Sequence, residues 1–389
     1  MKINNSKVRS QYNLLRVLRA IWLNHGISRI ELCRKFDMDK ATMSSVTAHL
    51  IELNLVEEVE PQNLKIKPGR KPIGLGVQGD FGFVAGIEFH IYGIRAVLKD
   101  MHSRTVFSSD FPFDVRHSNI KEEFLNVYGI LRKELGEKRL LGIGVAIPGV
   151  VNHEEAIILK SAKMGIEEEP YCFGEEVFSE LDVPCFIDND ANCCARGILA
   201  DHREEGYSNF LYCHINYYEN RKIEDNNESL GIGFGIVINE KLYYGPEFTA
   251  GEFQTIEYNP ERVNQLNLTS RELDLYGKDA ELQKRVFYHL ASHIAMFVNV
   301  FNFKHLFLGG DLPSHISDLE GLFREVIDKN WLYKNQRDCG IHLMSRDEMS
   351  PALGAAGMFL DQLFTVPELE HSRGALIWQG IFGDGLVDY

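Results

Sequence analysis

The sequence predicts an α/β fold in which an N-terminal winged helix-turn-helix precedes a two-lobed α/β body. The first 75 residues carry 13 Lys and Arg against 7 Asp and Glu, a net charge of +6, whereas the rest carries −21. Helical patterns dominate the basic head, and apolar strands alternate with helices in the acidic body. A short apolar run at residues 185–187 ends in two carboxylates and two amides, as strands beside a ligand cleft do. The charge difference predicts that only the head approaches a polyanion.

The composition is typical of a globular protein. At 389 residues the chain is long enough for two or three well-packed domains. No apolar run of about 18 residues and no N-terminal signal pattern occur, so we expect a cytoplasmic protein that does not contact a membrane. The seven cysteines include no C-x-x-C pair, which argues against a disulfide framework and a zinc ribbon.

The head contains three predicted helices. Apolar residues recur at helical spacing from residue 11 to Trp22. Ser28 and Glu31 form the pattern of a capping box that opens a second helix through Phe36. Asp39 can cap a third helix from residue 40 to about residue 53. Two short helices joined by a tight turn predict a helix-turn-helix.

The third helix and the loop that follows are predicted to contact DNA. Small and polar residues at the start of that helix suit close entry into a major groove. Extended segments flank the basic loop at 65–72, as in the wing of a winged helix, and its G-R-K-P sequence resembles arms that enter a minor groove. The alternative is a surface module for protein contacts. The predicted DNA-binding residues are Arg29, Lys40, Ala41, Thr42, Ser44, Ser45, Lys67, Arg70 and Lys71.

The body divides into two predicted lobes. The predicted domains are 1–76 for the head, 80–200 with part of 355–389 for lobe 1, and 201–354 for lobe 2. Lobe 1 contains a hairpin (83–89 and 94–100), a strand near 105–111, helices at 120–135, 174–181 and 191–201, and strands at 141–147 and 185–187. Lobe 2 contains strands at 210–216, 230–238 and 305–308, a helix at 286–302 and a final helix from residue 351; residues 376–379 could form a strand or a helix.

Glycines and polar residues mark a predicted cleft. We expect Gly86, Gly231–Gly235 and Gly309–Gly310 to form turns after strands and to border a nucleotide or sugar site. The D-N-D-A-N sequence at 188–192 suits the hydroxyls of a sugar, and the helix after it offers its positive end. The alternative is that Asp188 or Asn189 simply caps that helix.

The order of these segments resembles the ROK family of repressors and sugar kinases. The resemblance covers nearly the whole chain. It implies an actin/hexokinase-like two-lobed body behind the winged helix, a homodimer or homotetramer, and a sugar or sugar phosphate that changes affinity for operator DNA. The motifs that carry it are G-R-K-P (69–72), G-I-G-V-A-I-P-G (142–149), D-N-D-A-N (188–192), G-I-G-F-G-I-V (231–237), A-G-E (250–252), L-G-G (308–310) and G-A-A (354–356).

Individual sugar-binding residues follow from this resemblance. Asn189, Asp190 and Glu252 match family residues that bind sugar hydroxyls, and Asp274 matches a further carboxylate weakly. The family histidine that binds zinc and sugar is replaced by Thr255, and the cysteine cluster expected after it is missing from residues 256–275. We therefore expect no structural zinc and no other metal.

The resemblance also separates regulators from kinases. Family kinases carry D-x-G-G-T on the first hairpin, where backbone amides and the Asp hold phosphates and Mg²⁺. Here residues 86–92 read G-I-E-F-H-I-Y, with Glu88 at the Asp position. We therefore expect a sugar-responsive repressor with no catalytic residue and no cofactor. The alternatives are a sugar kinase with a DNA-binding head and a regulator whose body binds a protein. Lys163 stands near the expected sugar and could favour an acidic ligand, or could be a surface lysine.

Overall fold

The computed structural model describes residues 6–61, 73–115, 118–203, 205–217, 230–259, 264–313, 315–333, 337–365 and 373–382. None of the described helices is long and apolar enough to span a membrane. Buried apolar side chains form one cluster that runs from the head into the body and two further clusters, one in each lobe.

The N-terminal head contains the three predicted helices and a small sheet. Strand β3 lies between β1 and β2 and pairs antiparallel with both. Ser28 and Glu31 form the predicted capping box, and the Asp39 carboxylate accepts hydrogen bonds from the amides of Ala41 and Thr42. The wing loop between β2 and β3 lies outside the described residues. The head elements are α1 (Ser6–Leu23), β1 (Ile27–Ser28), α2 (Arg29–Phe36), α3 (Lys40–Glu52), β2 (Val56–Val59) and β3 (Gly74–Val77).

The first lobe is built on a mixed five-stranded sheet with the order β10-β7-β4-β5-β6. Strands β4, β7 and β10 run parallel, so their carboxyl ends meet at one edge of the sheet. The residues from 83 to 189 form β4 (Phe83–His90), β5 (Gly93–Asp100), β6 (Thr105–Pro112), α4 (Ile120–Leu135), β7 (Leu140–Ile147), β8 (Val150–Asn152), β9 (Ile157–Lys160), α5 (Phe173–Glu176) and β10 (Cys185–Asn189).

The second lobe is built on another five-stranded sheet, with the order β13-β12-β11-β14-β15. Helices α8 and α9 share a core with β11, β14 and β15. The elements from 190 to 382 are α6 (Asp190–Asp201), β11 (Phe210–Tyr217), β12 (Leu230–Ile238), β13 (Lys241–Leu242), α7 (Ser270–Leu275), α8 (Ala280–Phe301), β14 (His305–Gly310), α9 (Leu319–Lys329), β15 (Gly340–Leu343), α10 (Pro351–Phe364) and α11 (Arg373–Phe382).

Helices α6 and α10 lie between the two sheets and contact each other through backbone. A Cβ atom added to Gly354 would lie 2.5 Å from the backbone carbon of Cys193, and one on Gly197 would lie 2.7 Å from the Cα of Gly354. Helix α10 covers the first sheet, where a Cβ on Gly86 would lie 1.9 Å from the carbonyl oxygen of Ala352. Glycine is required at these positions because any side chain would separate the layers.

Three expectations about secondary structure were wrong. Gly86, Gly231–Gly235 and Gly309–Gly310 do not form turns after strands, because they lie within β4, β12 and β14. At Gly86 and Gly235 the absence of a side chain lets a helix pack against the strand. The segment predicted as a helix over 174–181 is a single turn (α5) followed by a 3-10 turn at Phe178–Glu180. Helix α10 is not the last helix, because α11 follows it and buries Trp378 completely; the helix alternative for residues 376–379 is therefore correct. The domain boundaries stay a prediction.

Candidate functional site

A cavity of about 640 Å³ opens between the lobes at the carboxyl end of β10. Its lining includes Asn189, Asp190 and Glu252, three of the four predicted sugar-binding residues, together with Lys163 and Asn216. These residues come from distant parts of the sequence and meet because β10 and β11 end, and β12 begins, at the same cleft. Residues at the ends of strands in an α/β protein are well placed to bind a ligand.

Asn189 caps α6 and also links the start of this helix to Gly149 in the cavity lining. Its side-chain oxygen accepts hydrogen bonds from the amides of Ala191 (2.9 Å) and Asn192 (3.3 Å). Its amide nitrogen donates to the carbonyl of Gly149 at 2.9 Å. The capping interpretation is therefore correct for Asn189, and both polar ends of this side chain are engaged within the protein.

Asp190 is the first residue of α6 and faces the cavity. It is 8% exposed, and its Oδ1 accepts a hydrogen bond from the Ala191 amide at 2.8 Å. Its Oδ2 accepts a long hydrogen bond of 3.4 Å from the side-chain amide of Asn216, on β11 of the other lobe. This carboxylate therefore lies at the meeting point of the two lobes, at the positive end of a helix.

Glu252 approaches the same cavity from the loop after β13. It pairs with Gly233 through an isolated bridge, and its carboxylate has no hydrogen-bond donor among the described residues. Burial, and then the negative charge of Asp190, raise the pKa of the Glu252 carboxyl above its usual value. The side chain of Glu252 keeps contact with solvent at the cavity wall, so its carboxylate can accept a hydrogen bond from a ligand hydroxyl.

Gln265 is a positioning residue that the sequence analysis missed. Its Oε1 accepts from the Ile232 amide (2.6 Å), and its Nε2 donates to the carbonyls of Ile232 and Phe253 (both 2.8 Å). It thus holds β12 against the loop that carries Glu252. No local pattern marks such a residue, because its partners are 33 and 12 positions away.

Asp188 serves a structural purpose beneath the cleft. Its side chain is 1% exposed and accepts hydrogen bonds from the hydroxyl of Tyr244 (2.6 Å) and the side-chain amide of Asn192 (3.1 Å). The guanidinium of Arg196 donates to the same Tyr244 hydroxyl at 3.0 Å. These contacts fix the loop after β13 against α6.

Asp274 does not join the other predicted sugar-binding residues. It is exposed on α7 and is not part of the cavity lining. The weak sequence match that suggested Asp274 therefore points to a residue outside the cavity lining.

The residues around Thr255 do not suit zinc. The Thr255 hydroxyl is buried and forms a hydrogen bond with Nε2 of His289 at 2.9 Å, and His293 lies 3.4 Å away. The described residues contain no group of three or more His, Cys, Asp or Glu side chains that could hold a metal ion. A hydroxyl and two imidazoles lack the thiolates that structural zinc sites of this kind use.

The first hairpin does not offer a phosphate site of the kinase type. Glu88 and Phe89 are buried, and Oε2 of Glu88 accepts a hydrogen bond from the amide of Ala352 (3.3 Å), at the start of α10. Burial lowers the pKa of the neighbouring His90 to about 4, which keeps its ring neutral. Phe89 packs against Phe124 and Phe173 in the interior of the first lobe.

The start of α3 presents most of the predicted DNA-binding residues to solvent. Lys40, Ala41, Thr42, Ser44 and Ser45 are all exposed. The Thr42 hydroxyl already donates to Asp39 at 2.7 Å.

Arg29 is engaged within the head. Its guanidinium pairs with Glu58 at 3.0 Å and donates to the Thr47 hydroxyl at 3.0 Å. Lys67, Arg70 and Lys71 lie outside the described residues.

Comparisons with known proteins decide the family. A sequence model of the ROK family matches residues 117–264. The xylose repressor of Staphylococcus xylosus is 30% identical over 284 residues, which cover 70% of this chain and 67% of that protein. The chain belongs to the ROK family. This ROK chain is also 28% identical over 256 residues to the xylose repressor of Caldicellulosiruptor bescii, a match that spans 64% of this chain and 59% of that relative.

Solved ROK structures share the fold. A ROK family transcriptional regulator, described as a homologue of the Escherichia coli MLC protein, superposes with a TM-score of 0.71 over 98% of this chain and 100% of that one, at 18% identity. A ROK glucokinase from Streptomyces griseus, in complex with glucose and AMPPNP, superposes with a TM-score of 0.52 over 71% of this chain and 98% of that one, at 16% identity. The body therefore has the two-lobed hexokinase-like fold, and the N-terminal helices form a helix-turn-helix in front of it.

Proposed function

We propose that this ROK protein is a sugar-responsive transcriptional repressor. The observation that carries the proposal is the combination, in one chain, of an exposed helix-turn-helix and an interlobe cavity that gathers Asn189, Asp190 and Glu252. Relatives from Staphylococcus xylosus and Caldicellulosiruptor bescii are named xylose repressors.

The head is proposed to bind operator DNA through α3 and the basic loop after β2. The exposed residues at the start of α3 would read base edges in the major groove, and Arg70 would enter the adjacent minor groove. Two heads are needed to read two half-sites, so we propose that the chain acts as a homodimer or homotetramer.

The cleft is proposed to bind a monosaccharide or its phosphate. Asp190 and Glu252 offer acceptors to sugar hydroxyls, while Asn189 and Gln265 hold the walls in place. Asn189 ends β10 of the first sheet and Asn216 lies on β11 of the second, so a sugar bound between them would contact both lobes and favour a closed arrangement. Closure would change the separation of the two heads and hence the affinity for an operator of fixed spacing.

The body is proposed to lack kinase activity. Buried side chains at Glu88 and Phe89 stand where close backbone approach to phosphates would be required. A coupled assay of the full chain with ATP and a panel of sugars should show no sugar-dependent ATP turnover.

Calorimetry of Asp190→Asn tests the sugar site. The parent protein should bind D-xylose or another sugar of a panel, and the substitution should weaken that binding at least about tenfold, because it removes a charged hydrogen-bond acceptor. Asp274→Asn is the matched control and should leave the affinity unchanged, since Asp274 lies outside the cavity lining. No heat with any sugar in the parent protein would refute the sugar half of the proposal.

A further inference from the structure

Three helices end at the junction between head and body. Helix α1 of the head ends at Leu23, α6 ends at Asp201, and α10 ends at Phe364. The carbonyls in the last turn of a helix lack partners within it and carry partial negative charge. Their convergence at one place therefore calls for positively charged donors.

Arg203 and Arg19 supply these donors. Arg203 donates from Nε to the carbonyl of Trp22 (2.9 Å) and from Nη1 to the carbonyl of Ala200 (2.6 Å), which joins α6 to α1. Arg19 donates from Nη1 to the carbonyl of Phe364 (3.2 Å), which joins α1 to α10. Each arginine thus fastens the last turn of one helix to that of another.

The ring of Trp22 contacts side chains at the ends of both body helices. Its ring stacks on Phe364 of α10, with centroids 4.5 Å apart and planes within 11°. The guanidinium carbon of Arg203, just after α6, lies 4.6 Å from the centroid of the same ring. The side chain is 3% exposed, so the end of α1 is packed against two different body helices at once.

Helix α6 connects this junction to the candidate sugar site. Asp190, its first residue, lies in the cavity, and Arg203 follows its last turn. Twelve residues of helix span about 18 Å, so a rigid element reaches from the cleft to the head.

The two body helices also face different sheets. Helix α6 lies against β12, where a Cβ on Gly235 would come within 2.6 Å of the Ala195 Cβ, and α10 lies against β7, where one on Gly144 would come within 1.9 Å of the Ala355 carbonyl oxygen. A change in the angle between the two sheets can therefore be taken up between α6 and α10, as shear between packed helices.

The packing at the junction is incomplete. A cavity of about 130 Å³ borders Arg19, Trp22 and Arg203. The indole N–H of Trp22 is buried and has no hydrogen-bond partner among the described residues. An unpaired buried donor costs free energy, and a neighbouring void leaves room for the ring to move, so a second arrangement of the junction is accessible.

We propose that Arg203 is a positioning residue that couples the sugar cleft to the DNA-binding head through Trp22. Arg203 ties the end of α1 to α6, whereas Phe364 and Arg19 tie it to α10. Displacement of α6 relative to α10 cannot preserve both sets of contacts, and the head is thereby repositioned or released. The inference rests on the proposed function, since it requires a cleft that binds sugar and a head that binds DNA.

Substitution of Arg203 tests the coupling. The probes are D-xylose and a DNA duplex that the full chain selects from a random-sequence pool. In the parent, D-xylose should change the Kd for the duplex at least about fivefold, which is within the usual range of allosteric coupling. In Arg203→Gln this change should fall below about twofold, whereas the D-xylose Kd measured without DNA stays that of the parent. Arg203→Lys should restore part of the coupling because it keeps a cation near the ring.

Two further variants make the result specific. Arg19→Gln weakens the α10 side of the junction and should reduce the coupling in the same way. Arg132→Gln, on the surface of α4, is the control and should behave as the parent does. Unchanged coupling in Arg203→Gln and Arg19→Gln would overturn the inference. A parallel loss of D-xylose affinity in these variants would also overturn it, because it would show a general structural effect.

Hydrogen exchange supplies a readout that needs no sugar. Coupling between two sites is reciprocal, so binding of the selected duplex should change protection of the Ala191 and Asn192 amides at the start of α6. This change should occur in the parent and be absent in Arg203→Gln; equal changes in both, or none in the parent, would overturn the inference. Failure of the parent to bind any sugar of the panel would refute only the sugar half of the proposed function, and another sugar that binds would replace D-xylose as the probe. Selection of no DNA would refute both proposals.

Discussion

Glu88 is a buried carboxyl whose ionisation should be visible in the stability of the protein. It is 8% exposed, and burial raises the pKa of its carboxyl to about 7, from 4.5. Between these values the folded state binds more protons than the unfolded state, so this group lowers the free energy of unfolding as the pH rises from about 5 to 7. The cost arises because a charged carboxylate loses its hydration in the protein interior.

The substitution Glu88→Gln should remove this fall in the free energy of unfolding with rising pH. The variant should match the parent near pH 5 and exceed its stability at pH 8 by on the order of 3 kcal/mol, the free energy that corresponds to the pKa shift. Urea unfolding at several pH values would measure the difference. Glu137→Gln, at an exposed position, is the control and should show the parent's pH dependence. A constant difference between Glu88→Gln and the parent from pH 5 to pH 8 would contradict the assignment.

At the scale of elements, the contact between α6 and α10 depends on the absence of side chains. Gly354 and Gly197 let the two backbones approach, and α10 in turn rests on glycines of β4 and β7. The layered order of sheet, helix, helix and sheet therefore relies on small residues at several successive contacts. In the sequence, glycines inside strands have the same appearance as turn residues, and for this reason Gly86, Gly231–Gly235 and Gly309–Gly310 were all assigned wrongly to turns.

Gly354→Ala should destabilise the body by about 1–3 kcal/mol or more, because its Cβ would overlap backbone atoms of Cys193 and Cys194 that cannot move aside. Gly129→Ala is the matched helix control. A Cβ there meets nothing within 4 Å, so this substitution should stabilise the protein by up to about 1 kcal/mol. Thermal unfolding of the two variants would compare them, and equal midpoints would contradict the close contact.

At the scale of the whole molecule, charge is divided between the parts. The head carries a net charge of +6 on its first 75 residues and the remaining chain carries −21. DNA should therefore be attracted to the head and repelled by the body, which favours a single mode of binding. The junction at Trp22 holds the head on this acidic body.

Affinity for the selected duplex should fall steeply with salt, and Lys40→Ala should reduce the slope of log K against log[salt] by about one, because one phosphate contact is lost. Filter binding or fluorescence anisotropy between about 50 and 200 mM salt would give the slope. Lys133→Ala, on the body helix α4, should leave it unchanged. Equal slopes for Lys40→Ala and the parent would remove Lys40 from the phosphate contacts.

The sequence by itself determined the elements whose signals are local. The capping box at Ser28, the cap at Asp39, helix α4 and strand β12 all follow from residues within one or two turns of each other, and the structure confirms them. The order of the motifs was also sufficient to indicate the ROK family. It predicted that Asn189, Asp190 and Glu252 lie in one cleft, and all three line the interlobe cavity.

Contacts between residues far apart in the chain were seen only in the tertiary structure. It showed that Gln265 holds β12 against the Glu252 loop, that Asp274 lies outside the cavity lining, and that Trp22 contacts both Phe364 of α10 and Arg203, which follows α6. Hydrogen bonds and close packing between segments tens or hundreds of residues apart leave no periodic trace in sequence, because either partner alone has the same appearance as an ordinary surface or core residue. Propensity and spacing act along the chain, whereas these contacts arise when the two sheets and the head are brought together.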